Sequence, residues 1–188
     1  MTLELAIPVF PAGGYKKPLR PVRDTSQVVA ARWADSPLRN MKNPGTATAA
    51  QRAGKRYEKK VLRSLEKLFV NEEFVSVRVA PWVGYIIFSA GLCDERFCQP
   101  DVILETPKEI FLCEIKLSHT LDAYWQLQSL YRPVVSKLYG ERPVRLVEIT
   151  RSFDPAVLFP SEMRLFFSIE HLMKTPASGA VEVLQWKL

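Results

Sequence analysis

Three side chains near the middle of the chain have the types and spacing for chemistry on a charged substrate: Asp101, Glu114 and Lys116. Glu114 and Lys116 stand two apart in the apolar run Glu109–Leu117, which predicts a strand. Side chains alternate across a strand. Phe111, Cys113, Ile115 and Leu117 therefore share one face, and Ile110, Leu112, Glu114 and Lys116 the other. A strand this apolar is buried, and a buried carboxylate needs a partner. Lys116 is one candidate. Gln99–Glu105 predicts a second strand, and Thr106-Pro107-Lys108-Glu109 places Pro107 where a tight turn favours it. Folding about that turn sets Leu104 opposite Phe111, Ile103 opposite Leu112 and Asp101 opposite Glu114. Opposed Cβ atoms lie about 4.5–5.5 Å apart. Two carboxylates so placed repel unless a cation lies between them. A hard divalent ion such as Mg²⁺ meets that need, because it commonly takes one or two carboxylates and completes its shell with water and substrate phosphate. The competing reading is an ordinary hairpin whose acids reach solvent at its open end.

The elements around this hairpin must aim further groups at it. After Pro44-Gly45, a helix is expected from Thr46 to about Val70. At 100° per residue, Gly54, Glu58, Val61, Leu62, Leu65 and Phe69 form one stripe with Glu58 near its centre, so Glu58 is expected to face the acids. Lys55, Arg56 and Lys59 are the candidate nucleic-acid contacts on this helix. Strands are expected near Phe74–Ala80 and Tyr85–Ala90. A helix over Thr120–Leu138 follows the hairpin, kinked or divided by Pro133. Its predicted inner face carries Leu121, Tyr124, Gln128, Tyr131 and Val135, which makes Gln128, rather than Gln126, the inward glutamine. Tyr131 is a second candidate contact for nucleic acid. A strand over Pro143–Thr150, a short helix near Ser168–Lys174 and a strand near Val181–Trp186 complete the expected order.

Composition narrows the classes. The 188 residues carry a net charge of +6, and 47% of them are hydrophobic, ample for a core. Residues 1–56 hold ten Lys/Arg against only Glu4, Asp24 and Asp35, whereas the remainder is almost neutral. A basic front end attracts phosphate backbones and releases their counterions. Residues 1–45 contain six prolines and read as an extended basic arm, with Leu3–Phe10 the one stretch able to form a short strand. Residues 46–188 form the expected domain. The longest uncharged stretch, Val79–Cys93, is too short and too rich in Pro and Gly to span a membrane. The opening segment has no basic n-region of a secretory signal. Cys93, Cys98 and Cys113 are an odd set without a disulfide framework, which suits a reducing cytoplasm. Ser118-His119 has no evident acidic orienter for a hydrolase triad, and no glycine-rich phosphate loop is present.

Together, Pro100-Asp101, Glu114-Ile115-Lys116, Gly54-x-x-x-Glu58 and the downstream glutamine–tyrosine helix resemble the PD-(D/E)XK nuclease superfamily over roughly residues 46–150. The resemblance implies an α/β restriction-endonuclease-like core, a central mixed β-sheet flanked by helices in αβββαβ order. It implies a metal-dependent DNA nuclease, endonuclease or exonuclease, using Mg²⁺ with Mn²⁺ able to substitute. Asp101, Glu114 and the Ile115 carbonyl would hold the metal. Lys116 would position or deprotonate water, Glu58 would complete the site through a second metal or a water, and Gln128 would assist. DNA is the implied partner, with a homodimer or a larger nucleoprotein complex also compatible. The alternative is a catalytically silent nucleic-acid-binding or assembly module on the same fold. The helix departs from the exonuclease branch, where a glutamine precedes a tyrosine by four; Gln128 precedes Tyr131 by three and Gln126 by five.

Overall fold

The first helix begins with a reciprocal cap. Gln51 donates its backbone N–H to Thr48 Oγ1 at 3.2 Å, while the Thr48 N–H reaches Gln51 Oε1 at 2.8 Å. This pairing satisfies two of the donors that every helix start leaves open. Helix α1 then runs Ala49–Leu68 in the computed structural model, which describes residues 28–36, 48–68, 76–89, 92–154 and 163–188. The expected segments Leu3–Phe10 and Phe69 lie outside the described residues.

Six strands build a mixed sheet: β2 (Ser76–Val79), β5 (Val102–Glu105), β6 (Ile110–Ser118), β7 (Val144–Ser152), β8 (Arg164–Phe166) and β9 (Val181–Gln185). Their spatial order is β2-β5-β6-β7-β9-β8. The β2–β5 and β5–β6 pairs are antiparallel, and β6–β7, β7–β9 and β8–β9 are parallel. A parallel neighbour requires a crossover. That crossover consists of α2 (Leu121–Trp125), a π turn (Gln126–Tyr131) and α3 (Arg132–Tyr139). Helix α4 (Ile169–Lys174) joins β8 to β9.

Three strands form a separate antiparallel sheet in the order β1 (Val28–Ala34), β3 (Trp82–Ser89), β4 (Leu92–Cys98). Two of them correct the sequence reading. Strand β1 falls inside the expected extended arm: Val28 buries, and Ala31 packs against the core. Strand β4 was hidden because its LCDERFC sequence lacks apolar alternation, yet it pairs with β3 from Val83↔Cys98 to Ser89↔Leu92. The large sheet separates two cores. Phe111, Cys113 and Ile115 join Tyr57, Val61 and Leu65 of α1 on one side. Ile110 and Leu112 join Leu127, Val134 and the small sheet's Tyr85 on the other. The face assignment read from alternation along β6 therefore holds, and the chain is an α/β protein with helices flanking a mixed sheet. Within the described residues, no helix is long and apolar enough to cross a membrane.

Candidate active site

The site forms where β5 and β6 stop pairing. Their register is the expected one, Leu104↔Phe111, Ile103↔Leu112 and Val102↔Cys113, but it ends there. Asp101 therefore does not pair across from Glu114. Its Oδ2 accepts the Ile115 N–H at 2.7 Å, so one carboxylate spans the fork and fixes the start of β5 to β6. The Asp101 backbone is also braced. Its carbonyl accepts the Ala80 N–H at 2.8 Å, and Gln99 Nε2 donates to the Ala80 carbonyl at 2.8 Å. Ala80 takes φ 45° to make both contacts. A left-handed alanine costs about 1–2 kcal/mol, a strain of the kind that collects beside functional groups.

Glu114 is almost fully buried, and its Oε1 accepts from Lys116 Nζ at 2.6 Å. Its Oε2 is buried with no hydrogen-bond partner among the described residues. Burial, then the charge of Asp101, pushes the Glu114 carboxyl up to about 7, opposed by Lys116. Asp101 is raised by burial against the Ile115 N–H and Lys116. Lys116 is held above its ordinary value because Glu114, Asp101 and Glu148 together outweigh its desolvation. It is an ammonium with carboxylates around it.

Glu58 arrives from α1. The buried stripe of that helix is Tyr57, Val61 and Leu65, so Glu58 lies on its flank rather than at its centre. Burial and then Asp101 raise its carboxyl, while Lys55, Lys116 and Lys59 lower it. Glu58 thus senses the fork. Nevertheless, no three His, Cys, Asp or Glu side chains converge on one point among the described residues. Of the two roles expected for Glu58, a second metal or a water, this arrangement gives the water-mediated one the better footing. The donor set that remains is Asp101 and Glu114, the latter with a buried oxygen that has no partner among the described residues. That set fits Mg²⁺, which takes few carboxylates and keeps water and phosphate in its shell.

The crossover helix corrects two assignments. Its buried side chains are Ala123, Leu127, Leu130, Tyr131, Val134 and Val135, while Leu121 is exposed. Tyr131 is 6% exposed and donates its hydroxyl to the Gln99 carbonyl at 3.3 Å, so it holds the Pro100-Asp101 loop rather than touching a ligand. Gln128 Oε1 accepts from Arg132 at 3.1 Å, and Arg132 also donates to the Gly179 carbonyl just before β9. Gln128 therefore faces away from the fork. The physical cause is the π turn. Its hydrogen bonds close five residues apart, so Gln126 and Tyr131 stack on one flank where an α-helix would separate them. Pro133 follows in the first turn of α3 and has no N–H to offer the preceding turn. The kink expected there takes the form of a widened turn. Tyr131 reaches the Asp101 loop, and Gln126 shares its flank with a buried Oε1 that has no partner among the described residues. Gln126 is the glutamine a phase of 100° per residue assigned outward.

Two further residues escaped the sequence reading. Glu148 on β7 pairs in register with Glu114 and is fully buried. Its Oε2 lies 2.7 Å from His119 Nδ1, and its Oε1 accepts the Thr120 N–H at 3.4 Å. His119 does have an acidic orienter, across 29 residues of sequence. The pair is buried, however, and Ser118 is exposed, so no triad forms. A glutamate inside the apolar run Leu146–Ile149 was the available signal. Lys55, Arg56 and Lys59 are exposed as expected. Comparison with protein-family models, with curated proteins and with solved structures returned no match, so the site stands on its own geometry.

Proposed function

We propose that this protein is a metal-dependent nuclease of the PD-(D/E)XK type, hydrolysing phosphodiester bonds of DNA at the fork between β5 and β6. One observation carries the reading: the half-buried Asp101 carboxylate, the buried Glu114 carboxylate and the Lys116 ammonium gather where two strands separate, and Glu114 keeps an oxygen with no partner among the described residues. A purely structural module has no use for so costly a cluster. Asp101 and Glu114 would hold Mg²⁺, or Mn²⁺ in its place, and the metal when bound supplies Lewis-acid activation of the phosphate. Lys116 is fixed by Glu114 and stays protonated, so it orients the attacking water and faces the charge that grows on the phosphate oxygens. Glu58 acts at longer range, through its repulsion of Asp101. Gln126 supplies a carboxamide able to orient water or a phosphate oxygen.

The test is incubation of linear and circular, single- and double-stranded DNA with Mg²⁺, Mn²⁺ or EDTA. Metal-dependent cutting that disappears in Asp101→Ala and Lys116→Ala, with binding retained, is the expected result. If no substrate is cut and the wild type binds DNA no differently from Asp101→Ala, the protein is a silent binding module and the hydrolytic reading fails.

A further inference from the structure

A second feature lies across α1 from the fork. A cavity of about 210 Å³ is lined by Arg56 and Lys60 of α1, Arg151 at the end of β7, and Ala53, Tyr57 and Leu188. Its floor is fixed rather than fluid. Tyr57 donates its hydroxyl to the Trp186 carbonyl at 2.9 Å, and the Trp186 N–H reaches the Thr150 carbonyl at 2.7 Å. Among the described residues, Arg56, Lys60 and Arg151 make no ion pair with a carboxylate. Three exposed cationic side chains border this one concavity. Such an arrangement gains most from an anion that all three can share.

The cavity and the fork lie at the same end of strands β6 and β7. Lys116 pairs with Thr150, and Arg151 is the next residue, so the Lys116 and Arg151 backbones are within about 9 Å from strand spacing and Cα–Cα length. Their side chains leave opposite faces of the sheet. On α1, Arg56 and Lys60 each stand two residues from Glu58, about 200° around the helix. Lys55 and Lys59, by contrast, act on Glu58 itself. The helix thus carries one pair of cations on the flank of the fork and another on the flank of the cavity.

We propose that the Arg56–Lys60–Arg151 cavity is a phosphate-binding site for a nucleic-acid strand whose reacting phosphodiester lies at the fork. The ligand chemistry is a phosphate, either an internal diester or a terminal monoester. This inference rests on the nucleic-acid reading of the fork. A helix with its side chains is about 10–12 Å across, and a strand advances about 3.4 Å per nucleotide. The bound phosphate is therefore within a few nucleotides of the reacting one. Guanidinium groups suit the task because they grip phosphate oxygens in pairs.

The experiment measures binding of the full chain to 3′-labelled single- and double-stranded oligonucleotides in EDTA, where no cutting can interfere, across a salt series. Each oligonucleotide is used with a 5′-phosphate and with a 5′-hydroxyl. Arg56→Gln/Arg151→Gln is expected to weaken binding at least tenfold and to lower the salt slope by about 0.7–0.9, the share of one phosphate contact. Arg56→Lys/Arg151→Lys should restore most of the slope, and Lys137→Gln on α3 should change nothing. A loss seen with both 5′ ends assigns an internal diester; a loss confined to the 5′-phosphate assigns a terminal monoester. The proposal is overturned if the double glutamine variant keeps wild-type affinity and slope, or if Lys137→Gln weakens binding equally. Cutting with Mg²⁺ is read separately. A wild type that never cuts, with the double variant still defective in binding, removes the hydrolytic reading and supports the cavity. A double variant that binds and cuts like wild type overturns the cavity alone.

Discussion

Replacing Glu114 by glutamine should stabilise the metal-free protein at neutral and alkaline pH, and the size of the gain follows from the site. The Glu114 carboxyl is pushed up from 4.5 to about 7 by burial and by Asp101. Below pH 4.5 the group is protonated in both the folded and the unfolded chain, and burial carries no charge penalty. As pH rises from about 4.5 towards 7, the unfolded chain releases the proton while the folded chain retains it, so stability falls. Above pH 7 the loss is complete and constant. One unit is worth about 1.4 kcal/mol, which makes the loss about 3 kcal/mol. Asp101, Glu58 and Glu148 are all raised and add in the same direction. Lys116 titrates above this window and leaves its sign unchanged. Mg²⁺ at a hundred times its dissociation constant returns about 2.7 kcal/mol. The assay is urea unfolding at pH 5 and pH 8, with EDTA or Mg²⁺. Wild type in EDTA should be the less stable at pH 8, Mg²⁺ should remove most of that difference, and Glu114→Gln should keep only the smaller pH dependence of the other raised acids and lose the Mg²⁺ effect. Equal pH dependence in wild type and Glu114→Gln would refute the placement of Glu114 as a buried, charge-crowded ligand.

Other side chains separate the site from the scaffold. Lys116→Met removes the cation bonded to Glu114, and should abolish cutting while costing about 2 kcal/mol at pH 8 and less at pH 5, where Glu114 carries a proton; urea unfolding at the two pH values checks it. Gln126→Ala should lower turnover with little change in unfolding midpoint. Gln128→Ala should leave turnover intact and lose at most about 1 kcal/mol through its bond to Arg132, a contrast read by paired cleavage and melting assays. Arg145→Ala strands the buried Glu182 carboxylate and frees the Leu172 and Thr175 carbonyls, on the sheet face away from Glu114. Thermal melting should show a loss of about 3–5 kcal/mol, the cost of breaking a buried pair from one side.

Periodicity and turn chemistry made much of this protein legible from its residues. Alternation along Ile110–Leu117 assigned each side chain to its face, and Pro107 centred a turn whose register is the observed one. These are local properties, set by strand geometry and by the fixed φ of proline. Glu58, Asp101, Glu114 and Lys116 could be nominated for the same reason: a charge among apolar neighbours is visible in one dimension. Three things depended on tertiary structure. Pairing stops at Val102↔Cys113, because the Asp101 carboxylate takes the Ile115 N–H, and that turns an opposed pair into a fork. The turn before Pro133 widens to a π turn, which moves Tyr131 into the core, leaves Gln128 to Arg132 and buries the Gln126 amide oxygen. Parallel pairing of β6 with β7 brings Glu148 and Arg151 beside Glu114 and Lys116 across some 34 residues of chain. No periodicity carries such contacts, since each depends on where two distant segments meet.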